Sequence, residues 1–142
     1  MKQTITTDRI AVDTNILVYL HEDTPTFKSE ISKMIVRNLP VLSSQVISEY
    51  INVLNRLLRA PKTQVIDHCL TVTEGCSVIG MDHQLIVRAR ELVVKYDFQV
   101  FDSIVVSSAL QAGCNVLYSE DFQHHMVVEN QLTIINPYLE FQ

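Results

Sequence analysis

Short apolar runs of strand length alternate with longer stretches of helical periodicity along this chain, and that alternation constrains the fold more than any other feature. Ile10-Ala11-Val12 stops at Asp13-Thr14-Asn15, residues suited to capping a helix, before Ile16-Leu17-Val18-Tyr19-Leu20. Pro25 is placed to open a second helix, with Phe27, Ile31, Met34 and Ile35 at helical spacing, and Pro40-Val41-Leu42 reads as a brief strand ending at Ser43-Ser44. From Gln45 to Arg59, Val46, Ile47, Tyr50, Ile51, Leu54, Leu57 and Leu58 form an apolar face. Gln45, Ser48, Glu49, Asn52, Arg56 and Arg59 form the polar one. Pro61 starts another helix with Val65, Ile66, Cys69 and Leu70 inward; Gly75 ends it, and Ser77-Val78-Ile79 reads as a strand. A long helix follows, with Leu85, Ile86, Ala89, Leu92, Val93 and Tyr96 as its core stripe. Val100-Phe101 leads to Asp102-Ser103 at the start of a helix that Gly113 stops. Asn115 to Tyr118 is a strand delivering Ser119-Glu120-Asp121, and Leu132 to Ile135 is a last strand before Pro137.

Parallel neighbours need crossover helices, so this order predicts an α/β fold with a mainly parallel central sheet of four or five strands and helices on both faces. In such sheets ligands bind beyond the carboxyl ends of the strands. Asp13 and Asp121 both fall there. The 142 residues contain no linker or repeat, so one domain over residues 1–142 is expected, and 47% hydrophobic content supplies its core. Cys69, Cys76 and Cys114 make an odd count without a C-x-x-C pair, and all three sit among apolar neighbours like buried free thiols, which fits a reducing cytoplasm. The first fifteen residues lack the apolar segment of a signal peptide, and no window approaches the roughly 18 apolar residues of a membrane span.

Eleven Lys and Arg against sixteen Asp and Glu give a net charge of −5, which argues against nucleic-acid binding through bulk positive potential. The distribution says more than the total. The last basic residue is Lys95, and the 47 residues after it carry six carboxylates, Asp97, Asp102, Glu120, Asp121, Glu129 and Glu140. Asp102 and Asp121 interrupt apolar surroundings, where an unpaired charge is costly and a divalent cation is one candidate to offset it. Asp13 and Asp102 can each be read as a helix cap, Glu49 as a solvated helix residue and Asp121 as a loop acid. If the four converge they repel one another unless a hard cation such as Mg²⁺ or Mn²⁺ compensates them, and an all-oxygen set does not suit zinc.

VDTNILVY at residues 12–19, SEYINVL at 48–54, FDSIVVSSAL at 101–110 and LYSEDFQ at 117–123 resemble, in order and spacing, the four acidic motifs of PIN-domain ribonucleases. They look most like those of the toxin half of VapBC-type toxin–antitoxin pairs, over Ile10 to Pro137. The resemblance implies a three-layer PIN-like fold and a metal-dependent endoribonuclease that uses Mg²⁺ or Mn²⁺. Asp13, Glu49, Asp102 and Asp121 would be its catalytic, metal-holding quartet, with Thr14, Asn15 and Ser119 as polar supports. It also implies an RNA substrate, a cognate antitoxin and a homodimer. Arg56, Arg59 and Lys62, one or two turns beyond Glu49, could contact RNA phosphates or complement the helix carboxyl terminus. The chain departs from the family in one respect: a Gly often follows the fourth acid shortly, whereas here the sequence runs Asp121-Phe122-Gln123-His124-His125.

Two other classes compete. A haloacid-dehalogenase-like phosphohydrolase would use Asp13 as a covalent nucleophile, but that mechanism normally has a second acid two residues later, where Asn15 stands. A noncatalytic metal-binding interaction module would share the acids without turnover. His124-His125 is expected to be a surface turn, since adjacent side chains should point apart, and His21, His68 and His83 have no recognisable partner spacing.

Overall fold

A computed structural model describes residues 8–142; the first seven residues, part of the stretch read above for a leader, lie outside it. The strands are β1 (Ile10–Val12), β2 (Leu42–Ser43), β3 (Val78–Ile79), β4 (Val116–Tyr118), β5 (Met126–Val128) and β6 (Leu132–Ile135). The helices are α1 (Thr14–Val18), α2 (Phe27–Arg37), α3 (Ser44–Leu58), α4 (Lys62–Thr73), α5 (His83–Tyr96), α6 (Val100–Gln111) and α7 (Pro137–Glu140). A single 3₁₀ turn, Tyr19–His21, follows α1. The central sheet has the order β1-β4-β6-β5 and is flanked by helices. Its first three strands are parallel; β5 is antiparallel to β6. β2 and β3 form a separate parallel pair, tied to β1 by a parallel bridge between Ala11 and Val41 in which Val41 N–H donates to the Ile10 carbonyl at 2.7 Å.

Several boundaries differ from those the sequence predicts, each for a local reason. The second helix opens at Phe27 rather than Pro25, because Thr26 and Ser29 form a reciprocal capping box there. The helix carrying Asp102 begins two residues earlier, at Val100 after Gln99, so Asp102 lies inside the first turn and is not its cap. β5 and α7 went unpredicted: three residues and four residues are too short to show a period.

The core is built mainly from β1, β4, β6, one face of α3 and nearly all of α6, whose residues Ser103 to Leu110 are all buried. Three Ser and an Ala in that run keep the helix thin enough to be enclosed, and Ser108 returns its hydroxyl to the Ile104 carbonyl. The inward stripes are narrower than the sequence suggests. On α4 only Val65 and Cys69 are buried, while Ile66 and Leu70 face outward; Leu57, Ile86, Phe27 and Met34 are likewise exposed. Cys69 and Cys114 are buried, whereas Cys76 is only half-buried, and all three are free thiols. No helix among the described residues is long and apolar enough to cross a membrane.

Candidate functional site

The strand ends assemble the site. One step past the paired residues Val12 and Tyr118, Asp13 N–H donates to the Tyr118 carbonyl at 2.9 Å, and Ser119 N–H donates to the Ile135 carbonyl at 3.0 Å. Asp13 and Ser119 therefore emerge side by side at the carboxyl ends of β1 and β4, although 106 positions separate them. The Ser119 hydroxyl donates to Asp13 Oδ2 at 2.7 Å, and the Thr14 backbone N–H donates to Oδ1 at 2.8 Å. Asp13 thus caps α1 as one reading of the sequence expected, and it also lies at the bottom of the crevice, 4% exposed.

The other acids join through the polar residues that flank these strand ends. Thr14 donates its hydroxyl to Glu49 Oε2 at 2.6 Å, and Gln45, one turn earlier on α3, donates to Oε1 at 2.8 Å. Asn15 donates its side-chain amide to Asp121 Oδ2 at 3.1 Å, while the Asp121 backbone N–H donates to the Ser119 hydroxyl, also at 3.1 Å. Asp102 enters from the first turn of α6, half-buried, and no hydrogen bond among the described residues reaches its carboxylate. All seven residues singled out for the quartet and its polar supports are therefore in one place. Gln45 was missed as a support, yet its four-residue spacing from Glu49 on a helix face was a usable signal.

Electrostatics register this crowding. Burial pushes the Asp13 carboxyl from 3.8 up to about 6, against the lowering effect of its Ser119 and Thr14 hydrogen bonds, and Asp121 and Asp102 add repulsion. Asp102 is also raised, first by burial and then by Asp121 and Glu49. The site is rich in acceptors and short of donors. Asn15 Oδ1 is buried without any partner, an orphaned oxygen beside the acids. Hard oxygen donors, mutually repelling carboxylates and an unsatisfied amide oxygen all suit a divalent cation. Among the described residues, no three of these acids hold oxygens within 4.8 Å of one another.

The one tight group of possible ligands among the described residues lies elsewhere, at His124, His125 and Glu140. Contrary to expectation, the adjacent histidines do not point apart: their rings stack at 3.8 Å, and His125 Nε2 lies 3.1 Å from Glu140 Oε1. The reason is backbone conformation, since His125 adopts φ 69°, the left-handed region in which Gly is at ease. The Asn136 backbone N–H donates to His124 Nδ1 at 2.9 Å, so in the neutral ring Nε2 carries the proton toward Glu140. His124 Nε2 stays 3.8 Å from Glu140, beyond hydrogen-bond reach, so His125 and Glu140 form the clasp that closes α7 onto the turn. Two further histidines also acquire partners the sequence did not reveal: His21 hydrogen-bonds the hydroxyl of fully buried Tyr50, and its ring meets that of His68 edge-on at 5.9 Å.

Arg56, Arg59 and Lys62 are exposed at the junction of α3 and α4, and none forms an ion pair or side-chain hydrogen bond among the described residues. Arg59 occupies a left-handed position, φ 47°, as the carboxyl cap of α3. Lys62 lines a groove between the two helices with Ser48, Asn52 and Asn55.

Comparison with known proteins agrees with this architecture. The structure of VapC20 from Mycobacterium tuberculosis, described as a sarcin-ricin loop cleaving toxin, is similar with a TM-score of 0.63 and 19% identity, covering 80% of this chain and 91% of that one. A toxin–antitoxin complex from Klebsiella pneumoniae is similar with a TM-score of 0.65 and 16% identity over 92% of this chain and 98% of the other. VapBC2 from Rickettsia felis, bound to a DNA fragment from its promoter, gives 0.62 and 18% over 88% and 96%. At these identities the likeness is one of fold. No curated protein matches the sequence. The PIN domain family matches residues 10–128, a span that includes all four acids and most of the chain, and the chain therefore belongs to the PIN domain family.

Proposed function

We propose that this PIN domain is a divalent-metal-dependent endoribonuclease, the toxin of a cytoplasmic toxin–antitoxin pair. The observation that carries the reading is the convergence of carboxylates from β1, α3, α6 and the end of β4 into one hydrogen-bonded crevice that raises the pKa values of Asp13 and Asp102. Asp13 and Asp102 are the residues that would hold Mg²⁺ or Mn²⁺, with Glu49 and Asp121 completing the shell, orienting water or holding a second ion. When bound, such an ion polarises a phosphodiester and acidifies the attacking water.

The protein's own groups supply the rest. Thr14 and Gln45 fix Glu49 and leave its oxygens spare lone pairs, and Ser119 and the Thr14 backbone do the same for Asp13. Asp102, whose carboxylate no hydrogen bond reaches among the described residues, keeps all its lone pairs for the ion. Arg56, Arg59 and Lys62 give RNA phosphates a short cationic track leading away from Glu49, which an acidic protein otherwise lacks. A phosphatase using Asp13 as nucleophile is less favoured, because Asn15 stands where that mechanism normally has its second acid, and its amide is engaged with Asp121.

The partner expected is an antitoxin that inserts a basic side chain, such as Arg, into the crevice, since its charge pairs with the quartet while its bulk displaces metal or phosphate. Similar folds described as toxin–antitoxin complexes support such a partner. A homodimer is proposed on the family resemblance alone. The test is cleavage of RNA by purified protein with Mg²⁺ or Mn²⁺, with and without excess EDTA. Cleavage that needs the metal and stops on co-expression with the product of the neighbouring reading frame supports the reading. Undiminished cleavage in EDTA, or release of phosphate from monoesters without RNA cleavage, overturns it.

A further inference from the structure

Three consecutive polar residues leave β4, and they do not behave alike. Ser119 and Asp121 take part in the crevice, whereas the carboxylate of Glu120 lies in a separate cluster with the 3₁₀ turn, α2 and α7. There the Tyr19 hydroxyl donates to Glu120 Oε1, and Lys28 Nζ donates to Oε2 at 2.9 Å and to the Tyr19 hydroxyl at 3.1 Å. Lys28 sits over the rings of Tyr19 and Tyr138, 4.9 and 5.3 Å from their centroids. Tyr138 is itself fixed, its hydroxyl 2.7 Å from Ser32 Oγ on the same helix as Lys28.

We infer that Lys28 is a positioning residue for the crevice: by holding Glu120 it fixes the Ser119–Asp121 turn in the orientation that turns Asp121 toward Asp13 and Asp102. The inference rests on the metal-site reading of the four acids, and its physical content is separable from it. Without a cation at that place, Glu120 keeps only the Tyr19 hydroxyl as a partner and is an uncompensated carboxylate one residue from Asp121. The Asp121 side chain has only the single 3.1 Å hydrogen bond from Asn15, so its position depends on the backbone that Glu120 anchors. The Lys28 and Glu120 side chains are 42% and 21% exposed, and ion pairs of that kind add little to global stability. Lys28 should therefore matter to the turn and the crevice far more than to the fold.

The experiment compares wild type with Lys28→Met, Lys28→Arg and Glu120→Gln. Met keeps an apolar stem against the two tyrosines but loses the charge; Arg restores it. Two readouts are taken: hydrogen exchange of the 119–122 backbone amides in EDTA, and the Mn²⁺ concentration that gives half of the maximal thermal stabilisation. Lys28→Met and Glu120→Gln should speed exchange at the Asp121 amide and raise the Mn²⁺ midpoint by about tenfold, the lower range for removing support from a ligating group. Lys28→Arg should restore both. Unchanged exchange at Asp121 in Lys28→Met overturns the positioning role whatever the metal does, and so does an equal defect in Lys28→Arg. If exchange responds as expected while wild type shows no Mn²⁺ response, the positioning role stands and the metal-site reading is the one that fails.

Discussion

Asp13 and Asp121 stand at the ends of neighbouring parallel strands, yet their surroundings are opposite. Asp13 is enclosed, receives a hydrogen bond on each oxygen and has a raised pKa; Asp121 is exposed, and its side chain has one hydrogen bond, from Asn15. The enclosed end is a fixed floor with a buried charge that the fold tolerates at a cost, and the exposed end is a rim that adapts. A site of this kind gains positional accuracy from the floor and ligand exchange from the rim. The two should therefore respond differently to the same chemical change.

The largest contrast is expected in turnover. Asp13→Asn and Asp102→Asn should each lower RNA cleavage by on the order of a hundred- to a thousandfold while remaining folded, because the amide keeps the shape and loses the charge. Near-normal cleavage by both folded variants would remove the proposed centre. Asp121→Asn should cost less, about tenfold, as befits a rim group, and a loss equal to that of Asp13→Asn would erase the distinction.

Stability should move the other way. Raising the Asp13 pKa from 3.8 to about 6 costs about 3 kcal/mol at neutral pH, so Asp13→Asn should melt higher than wild type in EDTA by up to that amount, and Asp102→Asn should also melt higher. The native state holds the Asp13 proton more tightly than the unfolded chain. The stabilisation associated with that proton is complete below about pH 4 and is lost as pH rises through about 6. Denaturant midpoints of the metal-free protein should fall across that window in wild type and fall less in Asp13→Asn, where Asp102 still contributes. Midpoints that rise across it would contradict the burial of an ionised Asp13.

Millimolar Mg²⁺ or Mn²⁺ should reverse the penalty, since binding to the native state stabilises by about 1.4 kcal/mol for each tenfold excess over Kd. The metal-induced rise in Tm should shrink below pH 6, where protons compete for Asp13. The smallest effect is expected farthest along the rim. His125→Gly relieves a left-handed backbone but loses the contact with Glu140, so equilibrium unfolding should change by under about 1 kcal/mol. A larger loss would mean that the clasp holds more than the turn.

Much of this arrangement can be read from the sequence, for reasons that particular residues make plain. Ile10 to Val12 and Val116 to Tyr118 are apolar runs ended by polar residues, and parallel pairing then brings Asp13 beside Ser119 without further information. Glu49 is legible because helical periodicity separates its face from that of Tyr50. Asp102 can be read as a helix cap because Asp-Ser suits a helix start, but the helix begins at Val100, and Val100 and Phe101 lie largely exposed on its first turn. The outward Ile66, Leu70 and Ile86 were read as core because periodicity marks a stripe but not how much of it is covered. Lys28 with Glu120 and His21 with Tyr50 leave no trace in local spacing, since their partners are 92 and 29 positions away. Contacts of that kind become visible only once the sheet order is known.

That sheet order has a consequence in time. β1 is made well before its hydrogen-bonded neighbour β4, in which Val116 pairs with Ile10. At the usual ~5–20 residues per second of synthesis, the 106 positions between Asp13 and Ser119 take roughly 5–20 s to translate. Throughout that interval β1 has only the β2 segment to lean on, and the acids it precedes have no counterpart. A chain interrupted before β4 can fold helices but cannot build the crevice, so the dangerous chemistry proposed for this protein arrives only once β4 has been made.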